Sequence, residues 1–181
     1  MIPVFSIVGK NSNTGKTTLM CQVIDILKRR GYRVGTIKHD VHGFDMDHPG
    51  KDTWKHAQAG SDLVMISSPE KFAMIQKVET ERKLETIVAE INNVDILITE
   101  GYKREKYPKL EVFRQAAADE LLCEEEEMFA LVTDKVFDVK APQFGFEQVE
   151  ELVDLIEMTF LSNGKRTHES ADHQMTGLST H

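Results

Sequence analysis

The sequence predicts an α/β domain, a mainly parallel sheet flanked by helices with one added β-hairpin. Three observations carry that expectation. Short apolar runs bounded by Gly, Pro and Asp alternate with segments of helical period, the pattern of parallel strands joined through crossover helices. The first run, IPVFSIVG, passes directly into the polar stretch KNSNTGKTT and then into an amphipathic segment. Two β-like pieces, LVMIS and FAMIQKV, stand either side of SPEK between Leu63 and Val78, the arrangement of a hairpin.

The elements follow in order. Strands are expected at Pro3 to Val8, Val34 to Lys38, Ile96 to Thr99 and Phe129 to Thr133, each a compact apolar run. A helix from Thr17 to Arg30 places Met20, Val23, Ile24 and Leu27 on one face, with Gly31 as the left-handed residue that ends it. A short helix over 52 to 59 would bury Trp54, the single tryptophan, and another runs near Arg82 to Asn92. The last, Phe146 to Phe160, carries Val149, Leu152, Val153, Ile156 and Phe160 on one stripe. Residues 1 to 161 thus form one domain, and the polar residues 162 to 181 are expected to be a mobile tail outside it.

Composition excludes several classes of function. Thirty acidic against 22 basic residues give a net charge of -8, so the overall field repels nucleic acid and anionic membranes, and any anionic ligand must be held locally. No apolar stretch approaches a membrane span, and the N-terminus lacks the basic region and cleavage site of a signal peptide. The cytoplasm is the expected location. Cys21 and Cys123 stand without a CxxC spacing and read as structurally neutral reduced thiols.

Strand, polar loop with Gly-Lys-Thr, and amphipathic helix together predict a phosphate-binding loop. Backbone amides of Asn13, Thr14 and Gly15 and of the helix start would converge on one concavity, where the helix end favours anions. Gly15 lets the backbone approach the phosphates, Lys16 reaches the β and γ phosphates, and the Thr17 hydroxyl ligates the bridging Mg²⁺. The usual Walker A spacing asks for a glycine five positions before Gly15, where Lys10 stands, while Gly9 lies one residue too early. Either the loop is one residue longer, or Lys10 adopts the backbone conformation itself. One ATPase class places a second lysine five before the loop lysine; Lys10 lies six before Lys16, which weakens that reading.

In parallel sheets ligands sit beyond the carboxyl ends of the strands. In VDILITEGYK, Glu100 is at that end and would hold Mg²⁺ or orient the attacking water, whereas Asp95 is at the wrong end and reads as a cap or surface acid. For the base, NNVD imitates a guanine-reading motif but precedes a strand. LVTDK follows one, so Asp134 is the candidate guanine reader, with a simple turn as the competing role. Between 36 and 60, four His and four Asp crowd one polar stretch, a phosphate-sensing loop, a metal site or solvated surface. Lys38 and His39 at the strand end would face the nucleotide; Asp40, Asp45, Asp47 and Asp52 are candidate Mg²⁺ ligands.

NTGKTTL after the first strand, GTIKHDVHGFDMDHPGKDT with its IKH and PGKD elements, HAQAGSD, ILITEGYK and YPKLEVFR occur in this order across residues 2 to 135. In this the sequence resembles the MobB family, GTP-binding adapters of molybdopterin-guanine dinucleotide biosynthesis. The resemblance implies a P-loop NTPase fold, a homodimer, and GTP with Mg²⁺ hydrolysed slowly at best. It implies assistance to the molybdenum cofactor guanylyltransferase, the enzyme joining GMP to molybdopterin, or docking to other cofactor-synthesis enzymes. By matching position, Gly15, Lys16, Thr17 and Thr18 bind phosphate and metal, and Glu100 is the acid near them. Lys38, His39, Lys51 and Asp52 belong to the site surface. Two other functions compete: a GTP-dependent metallochaperone using His39, His42, His48 and His56, and a small-molecule kinase with Arg104 and Arg114 as phosphate clamps.

Overall fold

The computed structural model describes residues 2–162. The chain runs β1 (Val4–Val8), α1 (Lys16–Arg29), β2 (Val34–Lys38), α2 (Asp52–Gln58), β3 (Leu63–Ser67), β4 (Phe72–Gln76), α3 (Leu84–Glu90), β5 (Ile96–Glu100), β6 (Lys109–Phe113), β7 (Met128–Thr133), β8 (Gln143–Phe144) and α4 (Val149–Ile156). A π-type turn, Glu157–Leu161, continues α4. Six strands form one sheet in the order β2-β5-β1-β6-β7-β8, and every pairing in it is parallel. β3 and β4 pair antiparallel in a separate hairpin, with Met65 opposite Met74.

Alternation along the central strands loads both faces. Phe5 and Ile7 of β1, Ile96 and Ile98 of β5, and Ala130 and Val132 of β7 face α1 and α4, whose Leu19, Val23, Leu27, Leu152, Val153 and Ile156 complete the main core. Phe5, Phe129 and Phe160 form a ring cluster at the π-type turn, with centroids 5.0 to 5.4 Å apart. Val4 and Leu97 point the other way, toward Leu84 and Val88 of α3 and Tyr102. A chain buried on both sheet faces explains why these strands read as continuous apolar runs.

Several expectations are corrected. β6 and β8 were not foreseen. β6 carries Lys109, 2% exposed, and Glu111, 0% exposed, charges that make KLEVF read as surface. The fold neutralises both: Lys109 donates to Glu127 at 2.6 Å, and the Glu111 carboxylate accepts the amides of Leu122 and Cys123 at 2.6 and 2.9 Å. Burial beside Glu111 also pushes the Cys123 thiol up from its ordinary range, which makes it inert. Trp54 is half-buried and not a core residue, because α2 packs beside the small hairpin and buries no residue fully. α4 starts three residues later than expected and gives way to the π-type turn after Ile156. The tail expected from 162 to 181 lies, beyond Ser162, outside the described residues.

Candidate functional site

The loop between β1 and α1 crosses the carboxyl edge of the sheet at its centre, since β1 lies between β5 and β6. Its geometry answers the question of register. Gly9 is the glycine the loop needs: a Cβ there would lie 2.7 Å from the Val112 carbonyl oxygen and 2.9 Å from Thr14 Oγ1. The loop is therefore one residue longer than the usual form, and the half-buried Lys10 side chain pairs with Glu120. Asn13 takes φ 63 and Gly15 φ 98, left-handed conformations that curl the chain back into α1. Thr14 is fully buried and pins the curl.

Inside the loop, the Lys16 ammonium donates to Asn11 O at 2.7 Å and to Thr14 Oγ1 at 3.2 Å. Burial pushes Lys16 below its ordinary value, neighbouring Lys103 adds to the effect, and Glu100 opposes it. A partly desolvated cation beside a second cation is a group that an anion would stabilise. Across the sheet edge, Thr17 Oγ1 donates to Glu100 Oε1 at 2.9 Å, joining the first turn of α1 to the end of β5. These are two hard oxygen donors side by side next to the lysine, a donor set that fits Mg²⁺ bridging phosphates. The free amides at the start of α1, where Thr17 and Thr18 are exposed, favour the same anion.

An open cleft of about 910 Å³ extends from the loop over the ends of β5 and β2, with Lys10, Lys16, His39, Glu100, Lys103 and Arg104 among its walls. His39 stacks on Tyr102 at 4.5 Å between centroids, and its Nε2 meets Glu81 at 2.7 Å. The parallel register pairs Lys38 with Glu100, so this exposed lysine sits beside the carboxylate on the next strand.

Other expected residues lie elsewhere. Asp52 is the first residue of α2, pairs with Lys55 at 3.1 Å and does not line the cleft. Asp134 is exposed at the end of β7, and one of its oxygens accepts the Gln115 amide at 2.8 Å. Asp95, at the far end of β5, is held by Arg33 with contacts of 2.7 to 3.2 Å, as expected of an acid at that end. Among the described residues no three His, Cys, Asp or Glu side chains are grouped to hold a metal ion, so His39, His42, His48 and His56 do not assemble the centre a metallochaperone needs. Arg104 lines the cleft, but Arg114 does not; its guanidinium lies over the Phe146 ring at 4.0 Å. The two arginines do not converge on one substrate phosphate. Sequence reasoning gave Phe146 no role at the site, because the aromatic lies 32 positions from Arg114 and only the return of the chain through β7 and β8 brings them together.

Comparison with known proteins agrees with this geometry. Residues 4–134 match the family model described as Molybdopterin guanine dinucleotide synthesis protein B. The chain is 30% identical over 158 residues to the molybdopterin-guanine dinucleotide biosynthesis adapter protein of Haemophilus influenzae, covering 86% of this chain and 88% of that one. It is 30% identical over 162 residues to the protein of the same name from Escherichia coli K12, covering 86% and 92%. A crystal structure of molybdopterin-guanine biosynthesis protein B superposes with a TM-score of 0.66 at 28% identity over 86% of this chain and 99% of the other. The Bacillus subtilis MobB structure shares the fold at TM-score 0.67 and 20% identity, over 88% and 98%.

Proposed function

The chain belongs to the molybdopterin guanine dinucleotide synthesis protein B family, and from that premise we propose that it is a GTP-binding adapter assisting molybdopterin-guanine dinucleotide biosynthesis. The observation that carries this reading is the hydrogen bond from Thr17 to Glu100 beside Lys16, a hydroxyl and a carboxylate 2.9 Å apart at the mouth of an amide-lined loop. With nucleotide present, Thr17 and Glu100 would hold Mg²⁺, which supplies charge neutralisation between the β and γ phosphates. Lys16 exchanges its contacts with Asn11 and Thr14 for phosphate oxygens. Asn13, Thr14, Gly15 and Thr18 contribute the surrounding backbone amides.

Glu100 is the candidate both for holding the metal and for orienting water, and one carboxylate divided between two tasks supports hydrolysis that is slow at best. Asp134 retains one carboxylate oxygen not bonded to Gln115, which suits it to the edge of guanine. Lys38 and His39 flank Glu100 on the γ-phosphate side.

The protein works as a homodimer with the cofactor guanylyltransferase and other cofactor-synthesis enzymes as partners, in the cytoplasm. Support for the homodimer comes from the hairpin, where Leu63, Met65, Phe72 and Met74 on one face are 41 to 65% exposed, an apolar surface that a second copy would cover. Among the described residues no helix is long and apolar enough to cross a membrane. The test is a pull-down from molybdate-grown cell extract with Mg²⁺ and GTP, using the wild-type chain and Lys16→Ala as baits. Recovery of cofactor-synthesis enzymes by the wild type supports the assignment; their absence from both baits contradicts it.

A further inference from the structure

Two sides of the phosphate loop differ in chemistry. On the β5 side stand Thr17 and Glu100, the oxygen pair suited to the metal that bridges β and γ phosphates. A nucleotide with its γ end there must run its ribose and base the other way, over the carboxyl ends of β6, β7 and β8. That side carries Arg114, immediately after β6, and Phe146, in the loop between β8 and α4. The guanidinium carbon lies 4.0 Å from the Phe146 ring centroid. Both groups reach the phosphate loop itself: a Cβ on Gly15 would be 3.4 Å from Phe146 Cε1 and 3.6 Å from Arg114 Nη2.

Among the described residues Arg114 has no ion pair, in a chain whose net charge is -8, and it is only half-buried. Arg29, Arg30, Arg33 and Arg82 take acids instead. Holding one against an aromatic ring fixes its plane and leaves its second face unpaired, the arrangement that stacks on a π system. The neighbouring Gln115 amide ties Asp134 to the same corner at 2.8 Å.

Resting on the nucleotide-binding reading above, we propose that Arg114, braced by Phe146, is the platform on which the nucleobase of the bound nucleotide stacks. Stacking on a guanidinium plane is tolerant of base identity, so the platform adds affinity for purine nucleotides while leaving the choice among them to groups at the base edge.

The test compares a full nucleotide with a ligand that has phosphates but no base. Wild type, Arg114→Ala, Arg114→Lys and Phe146→Leu are titrated calorimetrically with GTP, ATP and inorganic tripolyphosphate, each with Mg²⁺. Arg114→Ala is expected to weaken GTP and ATP alike by about tenfold or more, the order of one base stack, and to leave tripolyphosphate within about twofold. Arg114→Lys, which keeps the charge and loses the plane, should behave as Arg114→Ala does, and Phe146→Leu should show a smaller loss of the same kind. Retained tripolyphosphate binding also shows that each variant is folded. A parallel fall in tripolyphosphate and GTP would make Arg114 a phosphate ligand and overturn the proposal, as would unchanged GTP binding in all three variants. Failure of the wild type to bind either GTP or tripolyphosphate would instead refute the phosphate loop.

Discussion

Replacing Gly9 by alanine tests the loop's register directly. The added Cβ would stand 2.7 Å from the Val112 carbonyl oxygen, about 0.7 Å inside ordinary contact, and 2.9 Å from Thr14 Oγ1. Neither neighbour yields easily. Val112 is paired in register with Val132 in the centre of the sheet, and Thr14 is fully buried. Overpacking against such walls costs about 1–3 kcal/mol, which for a chain of this length lowers Tm by roughly 3–10 °C. Because Thr14 is displaced, the loop amides move as well, and GTP affinity should fall by about tenfold or more, since phosphate binding depends on their convergence. Lys10→Gly is the contrast: it places glycine at the usual motif position but removes only a half-buried side chain paired with exposed Glu120. It should lower Tm less than Gly9→Ala does. Thermal unfolding followed by circular dichroism, with GTP titration of both variants, decides the matter. A Gly9→Ala protein as stable and as tight-binding as the wild type would refute the assignment of Gly9 as the loop's first glycine.

Three further outcomes follow from the same geometry. Glu100→Gln keeps the shape and one acceptor for Thr17 but loses the charge, so the affinity for GTP should depend less on Mg²⁺ than in the wild type; titrations with and without Mg²⁺ that still differ as in the wild type would remove Glu100 from the metal site. Glu111→Ala leaves the half-buried Leu122 and Cys123 amides without their carboxylate, at a cost of about 2–3 kcal/mol, readable as a lower urea midpoint; a loss below about 1 kcal/mol would mean those amides find other partners. Asp134→Asn should reduce the preference for GTP over ATP by about tenfold, measured by competition, and identical curves for variant and parent would assign Asp134 to the turn alone.

What was legible in the sequence depended on whether a residue's partner is near in the chain. β1, the loop and α1 are contiguous, so an apolar run, Gly-Lys-Thr and a helical stripe suffice to place them. The hairpin is local too, with SPEK between its strands. The position of Glu100 on the cleft wall was legible because the polarity of a parallel strand says which of its ends is the carboxyl end. β6 failed that kind of reasoning, since Lys109 and Glu111 are neutralised by Glu127 and by the amides of residues 122 and 123, contacts made only after folding. The brace of Phe146 on Arg114 was hidden for the same reason, and Trp54 was misplaced because its large apolar area does not say what α2 has to pack against.

The central claim is that the Gly9 to Thr18 loop holds a metal-bridged triphosphate by its amides and by Lys16. Isothermal titration of wild type and Lys16→Ala with GTP and Mg²⁺ measures this most directly. The account predicts saturable binding at one site per chain in the wild type, weakened at least a hundredfold without the lysine, because that cation is already partly stripped of water and awaiting an anion. Equal affinities for the two proteins, or no saturable heat in the wild type, would contradict it.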